Sequence, residues 1–143
     1  MKDMRWLLVA VVFGMLSMPY PLWSAENTTV KEKVSALIEP RKDFSIYLES
    51  AQPSPDSNHI AAVARKGKKF AVIYDGKLLR EYDLISKETP IFSPDSQRLA
   101  YTAKNGIKWT VVLDAKQGKM YDNVSVPVFS PDSKRLAYIA QVG

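Results

Sequence analysis

The ten residues Phe92-Ser93-Pro94-Asp95-Ser96-Gln97-Arg98-Leu99-Ala100-Tyr101 decide the fold of this 143-residue chain, because they occur twice with one difference. Residues 129–138 read Phe-Ser-Pro-Asp-Ser-Lys-Arg-Leu-Ala-Tyr. An earlier copy of the four-residue centre, Ser54-Pro55-Asp56-Ser57, lies 39 residues before the copy at Ser93, and Ser130-Pro131-Asp132-Ser133 lies 37 residues after it. The chain is therefore built from sequence repeats.

Agreement between the repeats continues well beyond this tetrapeptide, so its recurrence is not a coincidence. Positions 39 residues apart match at a glycine, an aromatic residue and two aspartates: Gly67 with Gly106, Phe70 with Trp109, Asp75 with Asp114, and Asp83 with Asp122. A period of about 40 residues is that of a propeller blade. We expect an all-β fold made of β-propeller blades, each a four-stranded antiparallel sheet.

Each repeat predicts four short strands. The first strand precedes the Ser-Pro-Asp-Ser turn and is predicted at 91–93 and 126–130. The second strand follows the turn and is predicted at 59–64, 98–103 and 135–140. The third covers 70–74 and 109–113, and the fourth covers 77–83 and 118–122, after turns at 75–76 and 115–118. The second and third strands are apolar on both faces, which predicts sheets covered on both sides by their neighbours. Trp109, Tyr101 and Tyr138 are assigned to this core, with a carbohydrate site as the alternative for Trp109 and Tyr121.

The repeated turn has a structural explanation. Proline at the second position of a type I turn presets φ, while the serine before it and the aspartate after it can bond nearby backbone amides. Three equivalent aspartates on different blades would also lie far apart, which argues against a metal or catalytic site. We assign a structural role to the repeated triplets, which are Ser54, Pro55 and Asp56; Ser93, Pro94 and Asp95; and Ser130, Pro131 and Asp132.

The two decapeptides resemble the WD-like β-propeller repeat of bacteria, which is found in TolB-like proteins and in the propeller domains of prolyl-oligopeptidase-type enzymes. The resemblance covers residues 45–143. It implies a propeller and, through the TolB-like members, protein partners in the cell envelope. The chain departs from the family pattern after the aspartate, where the family commonly has glycine and all three copies here have serine.

The number of repeats is smaller than a closed propeller needs. The sequence holds about two and a half repeats, whereas propellers typically close with 4 to 8 blades. Three explanations stay open: a fragment of a longer protein, a short protein that closes by self-association, or a small open sandwich.

The N-terminal segment has the pattern of a cleaved signal peptide at residues 1–25. Lys2 and Arg5 precede an apolar run at 6–18, which is shorter than the roughly 20 residues of a membrane-spanning helix. Residues 26–44 predict a lead-in with a short helix that ends at Pro40. The chain has no cysteine for lipid attachment or disulfides. We expect a periplasmic or secreted protein with no stable membrane span after cleavage.

The sequence offers no catalytic constellation. His59 aligns with Arg98 and Arg135, which predicts a surface residue at the start of a strand and not a general base. With one histidine, no cysteine and no phosphate-binding glycine loop, we assign no catalytic residue, cofactor or metal. The net charge of +5 is too small to indicate nucleic acid, and the basic residues 65–69 are read as a solvated hairpin tip.

Two classes of function follow. The first is a non-catalytic exported β-propeller repeat protein that acts as a protein- or ligand-binding scaffold in the cell envelope, with protein partners or self-association. The second is the N-terminal fragment of a propeller-containing serine hydrolase of the prolyl-oligopeptidase type, whose catalytic domain would follow. A remnant without activity is a third possibility. No ligand-binding residue is predicted.

Overall fold

A computed structural model describes residues 43–143, and in these residues every regular element is a β-strand. The expectation of an all-β fold with antiparallel sheets is confirmed. The predicted signal peptide (1–25), and the predicted helical lead-in (26–44) except its last two residues, lie outside the described part. Among the described residues, none forms a helix that could cross a membrane.

The first sheet, sheet 1, is a four-stranded antiparallel meander. Its strands, in spatial as well as chain order, are β1 (Ser45–Pro53), β2 (Ile60–Lys66), β3 (Lys69–Tyr74) and β4 (Lys77–Tyr82).

The second sheet, sheet 2, repeats this plan with its first strand in two pieces. The pieces β5 (Leu84–Ile85) and β6 (Ile91–Phe92) both pair with β7 (Leu99–Asn105), which is followed by β8 (Lys108–Leu113) and β9 (Lys116–Tyr121). We call the last four strands together sheet 3: β10 (Asn123–Val124) pairs with β13 (Ala140–Gln141), and β11 (Val128–Phe129) pairs with β12 (Leu136–Ala137).

The first strand of sheet 2 begins earlier than predicted. The expected range of 91–93 covers only β6, whereas the chain already pairs with β7 at Leu84. Between β5 and β6 the hydroxyl of Thr89 connects the chain to β7. Its Oγ1 donates to the carbonyl of Ser86 at 2.9 Å and accepts from the N–H of Thr102 in β7 at 3.4 Å. Such a side-chain bridge keeps a bulged strand attached to its neighbour.

The turn before β9 is also shorter than predicted. The expected loop at 115–118 is a two-residue turn, because Asp114 and Ala115 have φ of 49° and 64°, like Asp75 and Gly76 at 46° and 81°. Positive φ at both positions matches the twist of a hairpin, so two residues suffice. Gly118 lies inside β9, where a Cβ would stand 2.9 Å from the carbonyl oxygen of Val111. Close approach of backbones, and not a turn, requires this glycine.

Sheets 1 and 2 pack face to face around a shared apolar core. Ala61, Val72 and Tyr82 of sheet 1 meet Tyr101 and Val112 of sheet 2, and all five are at most 1% exposed. The rings of Tyr82 and Tyr101 contact edge to face, with centroids 6.2 Å apart. The expectation that the second and third strands are covered on both faces is confirmed for the interior of β2 and β7.

The three aromatic residues assigned to the core have different environments. Tyr101 is fully buried, Trp109 is half-buried with the ammonium of Lys104 at 5.6 Å from its ring centroid, and Tyr138 is 36% exposed. Tyr138 meets Tyr121 edge to face at 6.1 Å. The packing between sheets 2 and 3 is therefore looser than that between sheets 1 and 2.

Ala115 provides a test of the turn geometry. Replacing Ala115 by glycine is expected to raise the free energy of unfolding by about 0.5–1 kcal/mol, because glycine adopts positive φ without the clash of a Cβ. The reverse change in the equivalent turn, Gly76→Ala, is expected to lower it by about 1 kcal/mol. Urea denaturation measures both, and a loss of stability in Ala115→Gly would contradict the turn assignment.

Candidate functional site

The three Ser-Pro-Asp-Ser segments form one kind of turn, which we number as the first (54–57), second (93–96) and third (130–133) turn. In each, the N–H of the last serine donates to the carbonyl of the first serine at 2.8–2.9 Å. The last serine has φ of 59°, 64° and 62° in the three turns. The turn thus ends in a residue in the left-handed region, a conformation that glycine adopts more easily than serine.

The aspartate of each turn is bound by the turn itself. The hydroxyl of Ser54 donates to the carboxylate of Asp56 at 2.6 Å and accepts from the N–H of His59 at 2.9 Å, while the N–H of Asn58 reaches the same carboxylate at 3.0 Å. The other two turns repeat this arrangement. The hydroxyl of Ser54 and the N–H of Asn58 hold the pKa of Asp56 well below its usual range. Equivalent bonds lower the pKa of Asp95 and Asp132.

The oxygens of these carboxylates accept hydrogen bonds within the turn. The structural role assigned to the repeated triplets stays a prediction. In residues 43–143 no group of three or more histidine, aspartate or glutamate side chains is arranged to hold a metal ion.

Consecutive turns are joined to one another by a hydrogen bond that sequence reasoning missed. The backbone N–H of Asp56 donates to the hydroxyl of Ser96 at 2.9 Å, and the N–H of Asp95 donates to the hydroxyl of Ser133 at 2.9 Å. Ser96 and Ser133 are 2% and 4% exposed, whereas Ser57 is exposed. We call these two contacts the inter-turn hydrogen bonds. The sequence signal for these bonds is the serine at the last position of the turn, where a positive φ would have favoured glycine.

The opposite end of the sheets carries a second repeated link. Asp83, at the end of sheet 1, accepts from Lys69 of its own sheet at 2.5 Å and from the N–H of Gly106 in sheet 2 at 2.6 Å. Asp122 likewise accepts from Lys108 and from the N–H of Gly143, the latter at 2.8 Å. The matched aspartates and glycines of the sequence thus join each sheet to the next, and these bonds lower the pKa of both carboxylates.

His59 occupies the position of Arg98 in the repeat. Its Nδ1 lies 2.6 Å from Asp75, whose other oxygen accepts from the N–H of Ile60 at 2.9 Å. Arg98 reaches Asp114 at 3.1 Å in the same way. The structure places His59 at the start of β2 with its ring stacked on that of Tyr74, 5.5 Å between centroids. In both sheets this side-chain pair joins the residue before the second strand to the residue after the third strand, at the open end of their hairpin.

A groove lies between the first strands of sheets 1 and 2, beside the first turn. Its volume is about 350 Å³, and its lining is Gln52, Pro53, Pro55, Glu88, Pro90, Ile91 and Phe92. Three prolines, Ile91 and Phe92 line it together with the carboxylate of Glu88 and the amide of Gln52, but Pro90 is fully buried and more of the accessible surface is polar than apolar. Sequence reasoning missed this groove, because it forms between residues of two successive repeats, and an alignment of repeats does not tell which of their residues meet.

Comparison with models of protein families, with curated proteins and with solved structures finds no match to this chain. The resemblance to the WD-like propeller repeat, which rests on the two decapeptides, therefore stays a prediction.

The inter-turn hydrogen bond is tested by a matched pair of serine variants. Ser96→Ala is expected to cost about 1 kcal/mol more than Ser57→Ala, because it leaves the N–H of Asp56 without its partner. Both serines have positive φ, so the conformational effect of alanine is shared and cancels in the comparison. Equal costs in urea denaturation would show that the hydroxyl of Ser96 does not link the turns.

Acid provides a test of the turn carboxylates. Because the pKa of Asp56, Asp95 and Asp132 is lowered in the folded state, their ionised forms stabilise the fold above their unfolded pKa of about 3.9, and this contribution is lost as the pH falls below it. The midpoint of urea unfolding should stay constant from pH 7 to 5 and decrease below about pH 4.

The variant Asp95→Asn is the control for acid unfolding. It is expected to be less stable than the parent at pH 7 and to lose less stability on acidification, since one of the titrating groups is gone. A decrease that begins between pH 7 and 5 would assign the acid sensitivity to other groups.

Proposed function

We propose that this chain is a non-catalytic, exported β-propeller repeat protein that binds protein or small ligands in the cell envelope as a scaffold. Export rests on the N-terminal signal pattern. The propeller rests on the period, the decapeptides and the way in which successive sheets are joined. The groove between sheets 1 and 2 is the proposed binding site.

The observation that carries the proposal is the repetition of the same two links between successive sheets. Turn one contacts turn two as turn two contacts turn three, with the same donor, acceptor and distance. The aspartate-to-glycine link at the other end repeats as well. Units related by one constant contact are arranged around a common axis, as in a propeller or solenoid.

The composition of the groove supports binding and not chemistry. Pro53 and Phe92 offer apolar surface to a ligand, and the ring of Pro53 has little side-chain freedom to lose when a ligand binds. Glu88 and Gln52 supply the polar contacts that orient it, as a few polar groups do in most pockets. The carboxylate of Glu88 favours a ligand with a cationic group, such as a lysine or arginine side chain on an extended segment.

The proposal is tested by crosslinking in the producing cells. A photo-reactive amino acid at Gln52, in the groove, is expected to give a defined adduct in the envelope fraction. The same residue at Lys119, which is exposed on β9, serves as the control and is expected to give none. An identical pattern from both positions, or no adduct from position 52, would contradict a scaffold that binds through this groove.

A further inference from the structure

The hairpin tips that join the second and third strands of sheets 1 and 2 lie side by side. Each tip is a two-residue turn, at 67–68 in sheet 1 and at 106–107 in sheet 2. The carboxylate of Asp83 joins the two tips, because it accepts from the ammonium of Lys69 at 2.5 Å and from the N–H of Gly106 at 2.6 Å. We call the two tips together the hairpin end, which comprises residues 65–69 and 104–108.

Cationic side chains are concentrated at the hairpin end. The six are Arg65, Lys66, Lys68, Lys69, Lys104 and Lys108. Three of these six are paired with the carboxylates of Glu81, Asp83 and Asp122. The other three form no ion pair with a carboxylate of the described residues. Asp43 lies at the same end, because β1 begins opposite Arg65, but positive charge remains in excess there.

An apolar side chain stands at the tip in sheet 2. Ile107 occupies the turn position that Lys68 holds in sheet 1, and it is 82% exposed. Two-residue hairpin turns favour glycine and polar residues, so the turn does not require isoleucine. The core does not use this side chain either, because most of it is in solvent. An isoleucine between Lys104 and Lys108 therefore fits a partner that accepts apolar and cationic groups together.

Trp109 adds a second group that suits such a partner. Its ring is half-buried beside the hairpin end, and the ammonium of Lys104 lies 5.6 Å from the ring centroid. Tryptophan and lysine side chains are typical of the boundary between the headgroups and the acyl chains of a bilayer. A soluble polyanion would attract the cations of the hairpin end but would gain nothing from Ile107.

We propose that the hairpin end binds the surface of an anionic lipid bilayer, with its cations on the headgroups and Ile107 in the apolar boundary. This inference goes beyond the proposed function, because the groove lies at the opposite end of the sheets, beside the first turn. A cation near an anionic membrane strengthens binding about fivefold. One inserted side chain adds a modest apolar contribution, so the binding is peripheral and reversible. A protein bound in this way holds its groove away from the bilayer.

The probe is a vesicle of phosphatidylcholine and phosphatidylglycerol in equal parts, with a vesicle of pure phosphatidylcholine as the neutral counterpart. The protein recovered from its producing cells is expected to sediment with the anionic vesicles only. Salt at about 1 M is expected to release it, because the Debye length falls to about 3 Å. The absence of any preference for the anionic vesicles would overturn the proposal.

Matched lysine variants locate the charge contact. Lys68→Gln, at the hairpin end, is expected to weaken binding to the anionic vesicles about fivefold. Lys77→Gln is the control, because Lys77 is exposed at the opposite end of sheet 1, and its binding is expected to equal that of the parent. The variants share the same N-terminal segment, so the difference between them reports on the hairpin end alone. Equal affinities of the two variants would overturn the proposal.

Ile107 distinguishes a bilayer from a soluble polyanion. Ile107→Ser is expected to weaken binding to the anionic vesicles about tenfold, and to leave binding to dextran sulfate unchanged. Because the chain has no cysteine, Ile107→Cys and Lys77→Cys can each carry one environment-sensitive fluorophore. The emission of the label at position 107 is expected to shift to the blue on vesicle binding, and that of the label at 77 to stay unchanged.

Two results of these measurements would overturn the bilayer as partner. Vesicle binding of Ile107→Ser equal to that of the parent would make a soluble polyanion the partner. An unchanged emission at position 107 in vesicle-bound protein would place the contact elsewhere. Either result would leave the scaffold proposal standing if the crosslink at Gln52 forms, because the groove is built from other residues.

Discussion

The hydrogen bond from an aspartate N–H to the buried serine hydroxyl of the next turn is the contact on which the arrangement of the sheets depends. It fixes the separation of consecutive turns at one end of the sheets, and the aspartate-to-glycine bond fixes it at the other. Two fixed points define how one sheet lies on the next. The side chains between the two sheets must fit the distance that these bonds set. Small residues, Ala61 and Ala103, therefore pack beside Tyr82 and Tyr101 in the interface.

The last serine of the second and third turns makes this contact at a conformational cost. A left-handed φ strains any residue with a Cβ, and glycine would avoid this strain. Glycine has no hydroxyl, however, and the N–H of Asp56 would lose its partner in the next turn. Serine in place of glycine at this position thus has a physical reason in the two turns where the serine is buried. At Ser57, which is exposed, the same residue has no such contact with a preceding turn in the described residues.

Much of the fold could be predicted from the repeats, because a repeated sequence pattern imposes a repeated pairing of strands. The second and third strands followed from their apolar character, and the internal bonds of the turn followed from its proline, serine and aspartate. The first strand was underestimated, because its early piece at Leu84 is too short to give a pattern. The turn after β8 was misplaced, since Gly118 resembled a turn residue although it permits a close backbone approach.

The site was less predictable than the fold. The match of Asp83 with Asp122 and of Gly106 with Gly67 was visible in the sequence, but a match does not tell which residue of one repeat touches which residue of the next. The groove depends on Glu88, whose segment before Pro90 differs in length between repeats and gives no register, and on residues of β1 that belong to the preceding repeat. Contacts between repeats therefore require the structure, whereas contacts within a repeat could be derived from residue chemistry.

Amide hydrogen exchange at the three turn aspartates tests the central contact most directly, because the chain carries its own control. The N–H groups of Asp56 and Asp95 are bound to the serine of the following turn, whereas the described residues contain no turn after that of Asp132. The account predicts slow exchange at Asp56 and Asp95 and fast exchange at Asp132. Equal exchange rates at all three would contradict the linkage of the sheets through their turns.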